Sequence, residues 1–106
     1  MDQHIIMTKT ITAKTVATLM SQIATERRCK IIRVLMDSEE PVCSSMIATI
    51  TGTSEAATSF NLSVLLNAGV VTKIPSGRWG FYILNESILS IISEFFTPQE
   101  TDNEGQ

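Results

Sequence analysis

The sequence has few aromatic residues and no long hydrophobic run. Aromatic residues make up 6% of its 106 positions, against 43% for all hydrophobic residues, so the core is expected to consist of Ile, Leu, Val and Met. No apolar run approaches the roughly 20 residues that span a bilayer. The first ten residues, MDQHIIMTKT, lack the basic start and the long apolar stretch of a signal peptide. These absences predict a cytoplasmic protein with no membrane partner.

The sequence also lacks the residue combinations that enzymes use. The single histidine, His4, has no cysteine or serine beside it with a third residue to orient the pair. No glycine-rich segment resembles a phosphate-binding loop. We therefore expect neither catalysis nor a bound cofactor. The two cysteines, Cys29 and Cys43, are expected to be thiols, because structural disulfides are rare in the cytoplasm.

The chain has no excess of positive charge. Its formal net charge is −3, and the last eight residues, QETDNEGQ, contain three acids and no base. The rest of the chain is neutral, with eight bases and eight acids. Nucleic-acid binding is driven mainly by neutralisation of phosphates, so a neutral domain binds DNA only where its bases cluster. Composition alone therefore argues weakly against a nucleic-acid partner.

Apolar residues recur at helical spacing in five segments, and two β-favouring segments flank a Pro-Ser-Gly turn. The predicted helices span about 10–24, 25–36, 43–51, 55–67 and 86–96, and the predicted strands span 70–74 and 79–84. Ser54 suits the N-cap of the fourth helix, and Gly52 suits the turn before it. The order ααααββα predicts a mainly α fold with a small β-hairpin, a winged helix-turn-helix. It is expected to occupy 10–97, between a flexible arm at 1–9 and an acidic disordered tail at 98–106.

The third and fourth predicted helices each have an expected inward face. The third is expected to pack Met46, Ile47 and Ile50, and the fourth Thr58, Leu62 and Leu65. The outward side of the fourth helix is expected to present Glu55, Ala56, Ser59, Phe60 and Ser63. This helix contains no Lys or Arg and one acid, an unusual composition for a helix that enters a DNA groove.

Three segments resemble, in order, parts of the ArsR/SmtB-type repressors. ERRCKIIRVLMDSEEPV resembles the second helix of that family, which usually reads R-L-x-I-L-x-L-L. GTSEAATSFNLSVLLNAGVV is similar to its turn and recognition helix, and KIPSGRWGFYILN looks like its wing. The likeness covers roughly residues 15–96. It implies a homodimer that binds a near-palindromic operator, with double-stranded DNA and a second copy of the chain as partners.

The resemblance also implies two sets of contact residues. In the family the first and last helices form the dimer, which points here to Ile11, Val16, Leu19, Ile88, Ile92 and Phe95. Contacts to DNA are expected from the recognition helix, the turn before it and the wing, that is from Thr53, Ser54, Glu55, Ala56, Thr58, Ser59, Phe60, Asn61, Ser63, Lys73 and Arg78. Glutamate can accept from cytosine N4, asparagine can pair with adenine, and Ala or Phe can contact a thymine methyl group. Lys73 and Arg78 would supply phosphate or minor-groove contacts.

The cysteines bear on regulation. Metal-sensing relatives carry E-L-C-V-C-D-L where this chain has PVCSSMI, so Cys43 matches the first thiolate and Ser45 replaces the second. One thiolate with a serine is a poor soft-metal site, so no metal is expected. Cys43 begins a helix, where amides favour a thiolate, and is the better redox candidate. Cys29, the second candidate, stands where the family has a core leucine and is expected to be a small buried hydrophobe. The sequence does not decide whether Cys29 and Cys43 form a disulfide.

Two functions remain open from the sequence. The first is a DNA-binding transcriptional regulator, a repressor, that binds its operator as a homodimer. The alternative is a winged-helix module that binds a protein partner and has lost DNA binding. The neutral domain, the helix without bases, an outward Phe60 and the acidic tail all favour the alternative.

Overall fold

A computed structural model describes residues 11–76 and 79–98 of the chain. Within these residues the chain forms five helices and three strands. In chain order they are α1 (Ala13–Ile23), α2 (Glu26–Asp37), β1 (Val42–Cys43), α3 (Ser44–Thr51), α4 (Glu55–Asn67), β2 (Val71–Ser76), β3 (Trp79–Leu84) and α5 (Glu86–Phe95). None of the described helices is long and apolar enough to cross a membrane. The predicted arm at 1–9, and the predicted tail apart from Pro98, lie outside the described residues.

Hydroxyl side chains begin three of the helices. The Oγ1 atom of Thr12 accepts a hydrogen bond from the backbone N–H of Thr15, at 3.2 Å, and starts α1. Thr25 begins α2 in the same way, and Ser54 begins α4 by accepting from Ala57 N–H at 3.1 Å. These bonds satisfy N–H groups that have no partner within the helix. The predicted N-cap of the fourth helix is confirmed.

A glycine in the left-handed region makes the turn between α3 and α4. Gly52 has φ of 70°, a conformation that costs other residues more because their Cβ meets the backbone. Its N–H donates to Thr49 O at 3.3 Å and the N–H of Thr53 donates to Ala48 O at 3.0 Å. These bonds satisfy the last carbonyls of α3, so α4 can begin only three residues after α3 ends.

The β-hairpin is part of a three-stranded antiparallel sheet in the order β1-β3-β2. Val71 pairs with Leu84 at the base of the hairpin, and Ser76 pairs with Trp79 at its tip. The two-residue strand β1, which the sequence did not predict, pairs with the middle of β3 through Val42–Tyr82 and Cys43–Phe81. The sheet therefore ties the connection between α2 and α3 to the wing.

The hydrophobic core is almost entirely aliphatic, as the composition predicted, but no methionine of the described residues is buried in it. Its only buried aromatic side chain among the described residues is Tyr82. The other members come from α1 to α4 and from the start of the wing: Leu19, Ile31, Leu35, Ile47, Leu62, Leu65, Val70 and Val71. Full burial of one such side chain stabilises the fold by about 1.5–3 kcal/mol. The core therefore lies directly behind α4 and fixes its position.

Two expectations about buried residues were wrong. Met46 and Ile50 are 51% and 56% exposed, because the eight-residue α3 buries only the stripe that contains Ile47 and Ala48. Cys29 is exposed, and its thiol donates to Ile23 O at 3.3 Å. The buried stripe of α2 runs through Ile31 and Leu35. At about 100° per residue, Cys29 lies at least a third of a turn around the helix from both of them.

Candidate functional site

The outward face of α4 is exposed to solvent. Glu55, Ala56, Ser59, Phe60 and Ser63 are all exposed, as predicted, and the Phe60 side chain is 64% exposed. Ser54 caps the helix, and Glu55 lies in its first turn, where a carboxylate complements the helix dipole. The face therefore presents hydroxyl groups, one carboxylate and one aromatic ring, with no cation.

The inward face of α4 contains two residues that had been expected to contact DNA. Thr58 is 1% exposed and Asn61 is 7% exposed. Together with Leu62 and Leu65 they form one stripe at the i, i+3, i+4 and i+7 spacing of a buried helix face. Neither side chain is available to a base edge, so both expected DNA contacts are corrected; the expectation that Thr58 faces inward is confirmed.

The Asn61 amide is held on both sides by the protein. Its Nδ2 donates to Ala57 O at 2.9 Å, and its Oδ1 accepts from Arg28 Nη1 at 3.1 Å. Arg28 makes no salt bridge within the described residues, and its buried Nε has no partner there. By contrast, Lys30 and Arg33 pair with Glu26 and Asp37 on the surface of α2. Nothing in the local sequence around Arg28 predicts this contact, because Asn61 is 33 positions away.

The wing is joined directly to the end of α4. Gly69, at this turn, has φ of 79°, and Val70 N–H donates to Leu65 O at 2.9 Å. Asn85, just after β3, donates from its side chain to Gly69 O at 3.0 Å and from its backbone to Val70 O at 2.8 Å. These bonds fix the base of the hairpin against the C-terminal end of α4.

One of the two predicted wing cations can be placed. Lys73 is exposed on β2, opposite Tyr82. Its aliphatic chain lies over Gly80, where an added Cβ would come within 2.5 Å of Lys73 Cε. The missing side chain at Gly80 leaves room for Lys73 to follow the strand surface. Arg78 lies outside the described residues, so its predicted contact is untested.

Cys43 lies at the junction of the sheet and α3. Its half-buried thiol is 3.4 Å from Ser45 Oγ, and the residue is the N-cap of α3. Hydrogen bonding from the Ser45 side chain, and then from the backbone N–H of Met46, lowers the pKa of Cys43. Both cysteines are free thiols. In the described part of the chain, no three His, Cys, Asp or Glu side chains are grouped closely enough to share a metal ion.

The terminal helices form a second candidate surface. No residue of α5 is buried, Ile11, Ile88 and Ile92 are half-buried, and Phe95 is 39% exposed. A groove of about 560 Å³ lies between α1 and α5, with Leu19 in its lining. Val16, at 2% exposure, is packed within its own protomer, so its expected role as a dimer contact is corrected.

Comparison with known proteins supports the fold and shows what the helix-turn-helix is similar to. Residues 25–73, from the N-cap of α2 to the start of the wing, match the family model described as "Bacterial regulatory protein, arsR family". The match contains the helix-turn-helix described above. The described fold is a winged helix-turn-helix, and its residues 25–73 are similar to the ArsR family. Its order of helices and strands agrees with the prediction, except for the added β1.

Individual relatives agree with this likeness. The chain is 38% identical over 64 residues to a Halobacterium salinarum protein provisionally named arsenical resistance operon repressor ArsR, covering 60% of this chain and 50% of that one. A second provisional repressor of that organism, ArsR2, is 30% identical over 64 residues, covering 60% and 54%. The chain thus spans about half the length of these curated relatives.

A solved structure extends the likeness beyond the helix-turn-helix. The homodimeric winged helix-turn-helix DNA-binding domain of Mb0332 from Mycobacterium bovis, solved by NMR, is 25% identical to this chain. The superposition has a TM-score of 0.65 and covers 77% of this chain and 75% of that one. The likeness therefore covers more of the chain than the helix-turn-helix alone.

Proposed function

We propose that this protein is a sequence-specific DNA-binding transcriptional regulator, a repressor, that binds a near-palindromic operator as a homodimer. The observation that carries the proposal is the exposed polar face of α4, held between the Gly52 turn and the wing. Helices placed in this way enter the major groove with base-contacting residues near their N-terminal end. We further propose a cytoplasmic protein without enzymatic activity, with its folded domain at 10–97.

The proposed contacts divide into two kinds. Base edges are contacted by the outward face of α4, through Glu55, Ala56, Ser59, Phe60 and Ser63. Phosphates and the minor groove are contacted by Thr53 and Ser54 in the turn and by Lys73 and Arg78 in the wing. Phosphate contacts position the protein and base contacts specify the sequence, so a helix without bases can still read DNA. With few cations, affinity is expected to be modest and salt-dependent.

The homodimer is proposed to form through α1 and α5. Ile88 lies in the lining of the groove between these helices, and Ile11, Ile92 and Phe95 also keep exposed apolar surface within one protomer. The Mb0332 domain, which has the same fold, is homodimeric. A two-fold axis would place two copies of α4 about 34 Å apart, one turn of DNA.

A second candidate function is a module that binds a protein partner. The observation in its favour is the 64% exposure of Phe60 on a helix that contains no base. In that case the ring would be the centre of a protein interface, where aromatic residues are enriched. A purified protein that binds no DNA would favour this function.

Regulation is proposed to be independent of metal and, if present, based on thiol chemistry at Cys43. The thiol is half-buried, its pKa is lowered by Ser45 and Met46, and it lies between the sheet and the first helix of the helix-turn-helix. Oxidation there would add bulk at the joint that positions α3. Exposed Cys29 is the second candidate.

The test is fluorescence anisotropy of the full chain with a duplex from upstream of its own gene. A scrambled duplex is the control, and both are measured at about 50 and 200 mM salt, reduced and oxidised. Tighter, salt-dependent binding of the upstream duplex is expected. Equal binding of both duplexes would contradict the proposed sequence specificity. No binding at micromolar protein would favour the module that binds a protein partner. Loss of binding on oxidation, absent in Cys43→Ser, would establish the thiol switch.

A further inference from the structure

We infer that the outward face of α4 reads base amino groups and thymine methyl groups and rejects guanine where Glu55 contacts the DNA. Glu55 and Phe60 are the residues that determine this specificity. The inference rests on the proposed function, because it assumes that α4 lies in the major groove. It follows from counting the hydrogen-bond donors and acceptors that the folded helix leaves free.

The fold uses the Asn61 side-chain amide internally. The Asn61 amide, which could otherwise pair with adenine, donates to Ala57 O at 2.9 Å. The Ser63 hydroxyl donates to Phe60 O at 2.7 Å, so its oxygen is left as an acceptor. Ser59 alone on the outward face keeps a hydroxyl proton with no partner in the described part of the chain. The face is therefore poor in donors.

Acceptors on this face match only some base edges. The exposed Glu55 carboxylate makes no salt bridge within the described residues and can only accept. In the major groove, cytosine N4 and adenine N6 donate, whereas guanine offers the acceptors O6 and N7. A guanine opposite Glu55 would place its acceptors O6 and N7 against the carboxylate oxygens, so no hydrogen bond could form between them. Guanine is usually read by Arg or Lys, and α4 has neither.

The apolar part of the face is concentrated at Phe60. Its ring is 64% exposed, and Ala56 lies one helical turn before it on the same side. Thymine is the only base that presents a methyl group in the major groove. Contact between the ring and that methyl group removes two apolar surfaces from water at once. We therefore expect the base opposite Phe60 to be thymine.

The experiment begins with selection of duplexes that bind the full-length protein from a random pool. The selection is repeated with Glu55→Gln, and the position whose preference changes is taken as the Glu55 contact. Wild type is expected to select cytosine or adenine there, and Glu55→Gln to shift toward adenine, which glutamine pairs with bidentately. Selection of guanine at that position by the wild type would overturn the inference.

The methyl contact is tested by replacing thymine with uracil in the selected duplex. Wild type should bind the uracil duplex about fourfold more weakly per contacted methyl group, the factor for burial of one such group. Phe60→Ala should bind both duplexes equally. Met36→Ala, which removes a 47% exposed side chain on α2, is the matched control and should keep the uracil effect. Unchanged melting temperatures would show that the variants fold.

The outcomes separate this inference from the proposed function. If wild type selects no sequence from the pool, the proposed function fails and the inference fails with it. If wild type selects a sequence but binds its uracil form equally well, only the assignment of Phe60 fails. An equal uracil effect in wild type and Phe60→Ala would place the methyl contact on another residue and would also overturn it.

Discussion

The hydrogen bond between Arg28 and Asn61 joins the first turn of α2 to the middle of α4. The bonded atoms are 3.1 Å apart, although the residues are 33 positions apart in the chain. Arg28→Ala would leave the buried Asn61 Oδ1 without a partner, which costs about 1–3 kcal/mol. We expect a loss of that size in the free energy of unfolding, measured in urea.

A neighbouring arginine supplies the control for this prediction. Arg27 is exposed and makes no hydrogen bond within the described residues, so Arg27→Ala should change stability by less than about 0.5 kcal/mol. In a double-mutant cycle, Arg28→Ala should cost much less in an Asn61→Leu background. Equal costs in both backgrounds would show that Arg28 stabilises the protein through other contacts.

The thiol of Cys43 gives a second prediction at the residue scale. Its pKa is lowered first by the hydrogen bond from Ser45, so more thiolate is present at a given pH below the usual thiol range. Ser45→Ala removes that bond and should move the pH profile of iodoacetamide alkylation to higher pH. A Cys29→Ser background isolates the Cys43 reaction. A profile that does not move would assign the lowered pKa to the backbone amides instead.

At the scale of an element, the stability of α4 depends on its first turn. Ser54 Oγ accepts from Ala57 N–H at 3.1 Å, and Ser54→Ala should cost about 0.5–2 kcal/mol of unfolding free energy. Ser59→Ala is the control, because Ser59 is an exposed serine of the same helix that makes no hydrogen bond within the described residues. Thermal unfolding of both variants measures the difference. Equal melting temperatures would mean that tertiary packing alone holds the start of the helix.

The elements that sequence analysis predicted well are those with a local signal. The bounds of α4 follow from helical spacing between an N-cap at Ser54 and the turn at Gly69, and its exposed face follows from the same spacing. Strand β1 has two residues, too few for any alternation, and exists because β3 offers it backbone partners. Such a strand cannot be read from its own residues.

The error at Asn61 has a related cause. Its amide suggested an outward, base-reading residue, although its spacing from Thr58 and Leu65 places it on the buried stripe. Arg28, which is distant in sequence, donates a hydrogen bond to Oδ1 and so offsets the cost of burying the amide. Periodicity could have placed Asn61 inside, but no local pattern identifies its partner.

At the scale of the whole molecule, the formal net charge of −3 and the small surface of α4 both imply that one protomer binds DNA weakly. Two protomers joined by α1 and α5 would add the contacts of two half-sites, so DNA affinity should depend on dimerisation. Phe95, 39% exposed at the end of α5, is an accessible point at which to interrupt that contact. Phe95→Glu would bury a charge in the proposed interface and leave the protomer core unchanged.

Sedimentation equilibrium should give wild type a mass twice the 11.6 kDa of one chain, and Phe95→Glu a mass close to that of one chain. Ile83→Glu, at a 37% exposed position on the wing, is the control and should stay dimeric. Monomeric Phe95→Glu should also lose its preference for a duplex with two half-sites over one with a single half-site. In the monomer, the two half-sites are bound by separate protomers, so binding at one no longer favours binding at the other. A dimeric Phe95→Glu would place the interface elsewhere. A monomeric wild type that still prefers the two-half-site duplex would mean that the protomers meet only on the DNA.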